Sequence, residues 1–170
     1  MRATRGDKEI VLTYEDIKEG RLSNFIKEAI PGEVIGDPTK ACNFIKALSA
    51  EDPGVEKMWI IFLNVKNKVI AIEVVGSGTV STAPVYPREV VKKIIKHSAS
   101  AIIMAHNHPS GDTEPSREDD NITRTLYFAA MIVGCQVHDH LIVGDGANGY
   151  YSYSNTGKMD SFKNEYEKLF

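Results

Sequence analysis

Two short apolar runs limit the folds open to this chain. Met58 to Val65 and Ala101 to Ala105 are rich in apolar and β-favouring residues, and each is the length of a strand. Both read as strands buried in the interior. The segments between and around them have the helical period instead. Asp37 can cap a helix opened by Pro38, with Ala41, Phe44, Ile45 and Leu48 forming its apolar stripe. Pro87 opens a second helix to about Lys96 that buries Val90, Val91, Ile94 and Ile95. Ser116 opens a longer one to about Val133, with Ile122, Leu126, Ala129, Ala130 and Val133 on one face and Gly134 as its stop. Strands separated by helices predict an α/β (α+β) fold, a mixed central sheet flanked by helices.

The remaining elements extend this plan. Asn64 to Lys68 offers a polar turn, and Val69 to Val75 is its hairpin partner, running out into Gly76-Ser77-Gly78. Val137 to Val143 predicts a further strand, Gly144-Asp145-Gly146 a turn, and Tyr150, Tyr151 and Tyr153 a last strand. Residues 37–155 form the expected domain. Residues 1–36 read as an N-terminal arm or short helical extension, with a helix around 21–30 ended by Pro31-Gly32. Residues 156–170 read as a charged, helical tail.

Composition narrows the function classes. At 170 residues the chain can bury one sizeable core. Its net charge is −3, with no basic excess to follow a nucleic-acid backbone. Lys92, Lys93 and Lys96, near Arg88, recur at helical spacing and read as a solvated face. No apolar run is long enough to cross a membrane. Cys42 and Cys135 lie far apart among apolar neighbours, so they read as reduced core thiols, and the first residues lack the apolar stretch of a signal peptide. A cytoplasmic location is expected.

Chemistry concentrates in the stretch from His106 to Asp119. Two histidines two residues apart on extended chain face the same side, so His106 and His108 can converge on one ion, and imidazole suits zinc. A catalytic zinc site takes about three protein ligands and leaves a place for water. Asp119 lies in the first turn of the long helix, and the intervening loop can fold back over the ion. Asp112, Glu114 and Asp120 are alternatives to it. Ser116-Arg117-Glu118-Asp119 also has the form of a helix capping box. Hydrolysis by zinc needs a carboxylate base, for which Glu51, Glu56, Glu73 and Glu89 are candidates that spacing alone does not separate.

The pattern His-x-His, seven residues, Ser, two residues, Asp resembles the JAMM signature of MPN-type metallopeptidases. The string from His106 to Asp112 resembles the RadC branch in particular. So do Ile61-Phe62-Leu63-Asn64, Val85-Tyr86-Pro87-Arg88-Glu89-Val90-Val91 and Asp139-His140-Leu141-Ile142-Val143-Gly144. The resemblance runs from about Asp37 to Tyr153. It implies a JAB/MPN fold similar to the cytidine deaminase architecture, with one zinc ion per chain held by His106, His108 and Asp119. It implies Glu56 as the acid that holds the catalytic water and Ser116 as the residue that steadies the oxyanion. The reaction it implies is hydrolysis of an amide or isopeptide bond in a peptide or protein substrate. Thr113 stands where that family often has proline. No helix-hairpin-helix pattern is found in residues 1–36, so a short stand-alone form is expected and DNA binding is not carried over.

Other readings are weaker. The cysteine spacing excludes a zinc deaminase, and no His-Glu-x-x-His occurs for a zincin. The rival is a non-catalytic interaction or DNA-repair accessory module that retains a metal. His97 suits the end of its helix, and Asp145 suits a turn. His138 and His140 could form a second pair on one strand, though a structural role is expected, with His140 supporting the metal ligands from behind.

Overall fold

From Trp59 to Leu63 no residue is more than 2 % exposed. Such a run must lie in a sheet covered on both faces. A computed structural model of the protein, describing residues 2–5, 8–11, 30–78, 85–144 and 149–169, shows that arrangement. Strands β1 (Arg2–Arg5) and β2 (Lys8–Val11) form a separate antiparallel pair. The main elements are α1 (Pro38–Ser49), β3 (Glu56–Leu63), β4 (Val69–Gly78), α2 (Pro87–His97), β5 (Ala101–Asn107), α3 (Arg117–Ile132), β6 (Gln136–Val143), β7 (Tyr150–Ser152) and α4 (Lys158–Leu169).

Five strands make one sheet in the order β4-β3-β5-β6-β7. It is mixed: β5 and β6 run parallel, joined by α3, and the other pairs are antiparallel. Alternation along β3 sends Trp59, Ile61 and Leu63 to one face, where Ala41, Cys42, Ile45 and Leu48 of α1 cover them. Ile60 and Phe62 face the other way, against Val90 and Ile94 of α2 and Leu126 and Ala130 of α3. Helix α4 packs beside α3 through Tyr127, Tyr153, Met159 and Phe162. The expected mixed sheet between helices is therefore present, and the fold is α+β.

Several boundaries differ from the sequence reading for definite reasons. β3 starts two residues early, at Glu56, because backbone pairing with β4 extends past the polar Glu56 and Lys57 to Ser77 and Gly78. β5 continues through Asn107, so His106 belongs to a central strand. The β3–β4 turn is closed by Asn64, whose Oδ1 accepts from the backbone N–H of Lys66 and Lys68. The helix expected around 21–30 falls almost wholly outside the described residues, as do Asp145 and Gly146 of the expected turn. Both cysteines are free and buried. Among the described residues, no helix is long and apolar enough to cross a membrane.

Candidate metal centre

The carboxyl end of β5 meets the N-terminus of α3, and there the sheet delivers its polar residues. His106, the penultimate residue of β5, is 3 % exposed. The chain then turns across the end of β6, where His108 N–H donates to the Val143 carbonyl at 2.9 Å. Two loops close tightly at this point. A Cβ on Gly144 would lie 2.4 Å from the Gly111 carbonyl oxygen, so position 144 has no space for a side chain. His108 Nδ1 donates to the Asp112 carbonyl at 2.7 Å, which fixes the ring. The Asp112 carboxylate accepts from Glu114 N–H, forming the loop rather than facing the histidines.

Asp119 enters from the first turn of α3. The capping box foreseen in the sequence is formed in full. Ser116 Oγ accepts from Asp119 N–H at 3.1 Å and donates to Asp119 Oδ2 at 2.6 Å, and Ser116 N–H donates to the same Oδ2 at 2.8 Å. The cap therefore sets the rotamer of the aspartate. Asp119 Oδ1 lies 3.1 Å from His106 Nε2, Asp119 Oδ2 lies 3.6 Å from His108 Nε2, and the two Nε2 atoms lie 2.9 Å apart. Glu56, at the start of β3, completes the group. One donor atom from each of Glu56, His106, His108 and Asp119 lies within 4.8 Å of the others. His106 and Asp119 are buried, while Glu56 and His108 are half-buried.

Asn107 explains why Glu56 is there. Its side chain is 5 % exposed and spans the residue on β3. Asn107 Oδ1 accepts from Lys57 N–H at 2.8 Å, and Asn107 Nδ2 donates to the Val55 carbonyl at 3.0 Å. The peptide groups on both sides of Glu56 are thus pinned by the residue between the two histidines.

The donor set suits a small divalent cation. Tetrahedral ligands about 2.0–2.1 Å from a zinc ion lie about 3.3 Å from one another. The three contacts among His106, His108 and Asp119 bracket that separation. His108 Nδ1 gives its proton to a carbonyl, so the Nε2 of the neutral ring presents a lone pair. Burial alone would raise the Asp119 pKa, but the imidazoles of His106 and His108 beside it hold it far below the ordinary carboxylate range. The Asp119 carboxylate beside it pushes the His108 pKa up, against its partial burial. Charge complementarity is thus built into the cluster.

The other candidates lie elsewhere. Glu73 pairs with Lys93 and His97 on α2, and those bonds outweigh its burial and hold its pKa down at about 2. Glu89 pairs with Lys92 and Arg88 on the same helix. Asp120 is occupied by Lys158 at 2.8 and 2.9 Å and by the Tyr153 hydroxyl at 2.9 Å. Glu51 and Glu114 are exposed and outside the cluster. His138 and His140 do not pair. A bulge sets Val137 opposite Ile102 and Asp139 opposite Ile103, so His138 is left out of the ladder and bonds Asn67, while His140 turns inward to His106. Sequence reasoning missed Asn107 and Thr123. Thr123 had a signal, since it stands four residues after Asp119 on one helix face.

Residues 35–158 match the family model of the RadC-like JAB domain. A UPF0758 protein of Symbiobacterium thermophilum is 52 % identical over 105 residues, covering 62 % of this chain and 44 % of that protein. One from Photobacterium profundum is 41 % identical over 131 residues, covering 77 % and 57 %. One from Alcanivorax borkumensis is 43 % identical over 152 residues, covering 89 % and 65 %. The chain spans about half the length of the curated relatives it matches.

Proposed function

The chain belongs to the RadC-like JAB domain family, and on that footing we propose that it is a zinc-dependent hydrolase of the JAMM metallopeptidase type, cleaving an amide or isopeptide bond with activated water. The observation that carries the reading is the convergence of Glu56, His106, His108 and Asp119 within 4.8 Å. In this reading His106, His108 and Asp119 hold one zinc ion per chain. Two imidazoles and one carboxylate suit zinc, and three protein ligands mark a catalytic rather than a closed structural site. When bound, the ion supplies a Lewis acid that makes water a competent nucleophile near neutral pH.

The chain's own residues do the rest. Glu56 is half-buried beside the ligands and takes the proton of the attacking water, then returns it to the leaving amine. Ser116 holds its hydroxyl proton against Asp119 Oδ2 and turns it toward the developing oxyanion as charge builds there. A peptide or protein substrate fits a site whose two half-exposed members, Glu56 and His108, lie at the end of the sheet. A reducing compartment such as the cytoplasm suits the two buried free thiols.

The test uses Glu56→Gln. Zinc content should remain at the wild-type level, and hydrolysis of a panel of peptides and Lys-linked isopeptides should fall by roughly 10²–10⁴-fold. A Glu56→Gln protein that cleaves any of these as fast as the wild type removes Glu56 from the reaction.

A further inference from the structure

His106 is held from behind by a line of hydrogen bonds that the proposed reaction does not use. His106 Nδ1 lies 2.8 Å from His140 Nε2. His140 Nδ1 lies 2.5 Å from Thr123 Oγ1, and that oxygen lies 2.5 Å from the Asp119 carbonyl. His140 and Thr123 are completely buried, and the His140 ring stacks on Tyr153 with centroids 5.0 Å apart.

The direction of this line follows from what each atom can do. A carbonyl only accepts, so the single Thr123 hydroxyl proton goes to Asp119. The hydroxyl oxygen then accepts from His140 Nδ1–H. Neither partner of His140 is a carboxylate, and a buried imidazolium without one would be unpaired, so the ring is neutral. Its Nε2 therefore accepts from His106 Nδ1–H. His106 is left with a bare Nε2, the atom that faces His108 and Asp119.

We propose that Thr123 and His140 are positioning residues for the metal, forming a directional line from the Asp119 carbonyl to His106 that presents the Nε2 lone pair to the ion. The line also closes a ring. Asp119 offers its carboxylate to the metal and its carbonyl to Thr123, so the first turn of α3 and the end of β5 are tied together on both sides of the site. Partners of this kind, one step behind the ligands, set ring orientation and ligand basicity. The proposal rests on the metal-binding reading above.

The experiment is a zinc dissociation constant, by chelator competition, for wild type, Thr123→Val and Thr123→Ser. Thermal unfolding of each metal-free protein is measured alongside. Valine keeps the shape of threonine and removes the hydroxyl, whereas serine keeps the hydroxyl. Thr123→Val should bind zinc roughly 10–100-fold more weakly, and Thr123→Ser should return to within about threefold of wild type. A purely packing role would move the metal-free unfolding temperatures and leave zinc affinity alone. Equal affinity in wild type and Thr123→Val overturns the proposal, as does a serine variant as weak as the valine one. If Thr123→Val does not fold, His140→Phe, which keeps a ring against Tyr153, is read by the same criterion. A wild type that binds no zinc defeats the metal reading itself, a result distinct from either.

Discussion

Replacing Asn107 by Ala tests how Glu56 is held. The asparagine makes two hydrogen bonds, at 2.8 and 3.0 Å, to the peptide groups on either side of Glu56. Each is worth about 0.5–1.5 kcal/mol net, and an interior peptide group left unpaired adds to the loss. The expected destabilisation is about 2–3 kcal/mol, within the 5–15 kcal/mol typical of a folded domain. The variant should therefore fold, with a lower urea midpoint. None of His106, His108 and Asp119 is touched, so zinc content at saturation should match the wild type. Glu56 should be freed to shift, and a displacement of about 1 Å at a reacting group costs roughly 10²-fold in rate. Urea titration, elemental analysis and turnover at saturating zinc measure the three effects separately. Wild-type turnover in Asn107→Ala would refute the clamp. So would a loss of zinc as complete as in a ligand variant, because the asparagine would then be supporting the ligands rather than the acid.

Two further outcomes follow from the same geometry. Ser116→Ala should lower stability by about 1 kcal/mol through loss of the N-cap, and lower turnover of the zinc-saturated protein by roughly 10²–10³-fold, so a stability loss with unchanged turnover would leave Ser116 as a cap alone. Glu73 is held down at about 2 from an ordinary value near 4.5, despite its burial, by Lys93 and His97. Its contribution is thus fully present above about pH 4.5 and is lost as the pH falls through about 2. Unfolding across that range should show the wild type's margin over Glu73→Gln closing on acidification, whereas a constant margin would mean the ion pairs do not act.

The parts legible in the sequence are those where one local pattern dominates. Trp59 to Leu63 and Ala101 to Ala105 are read as strands because their burial on both faces demands unbroken apolar residues. The helices over 38–49, 87–97 and 117–132 follow their apolar stripes, although Ile95 and Val133, at the edges of those stripes, are exposed. His106, His108 and Asp119 stand out because histidines two apart on extended chain, followed by an acid at a helix start, form a distinctive spacing. Glu56 is different. On residue chemistry alone it is one of four glutamates, and only the family resemblance singles it out, since its place depends on a β3–β5 pairing that brings together residues 50 apart. The same pairing lets Asn107 reach back to Lys57 and Val55. The bulge at His138 breaks the period-two rule on which any pairing of His138 with His140 relies. Thr123 and His140 look like ordinary helix and strand residues until α3 is laid against β6.

The proposed reaction depends on a zinc ion held by His106, His108 and Asp119. Elemental analysis of zinc-supplied wild type beside His108→Ala tests it most directly. About one zinc per wild-type chain is expected, with none retained stoichiometrically by the variant. Well-folded wild type without zinc, or a His108→Ala protein that keeps a full equivalent, would contradict it.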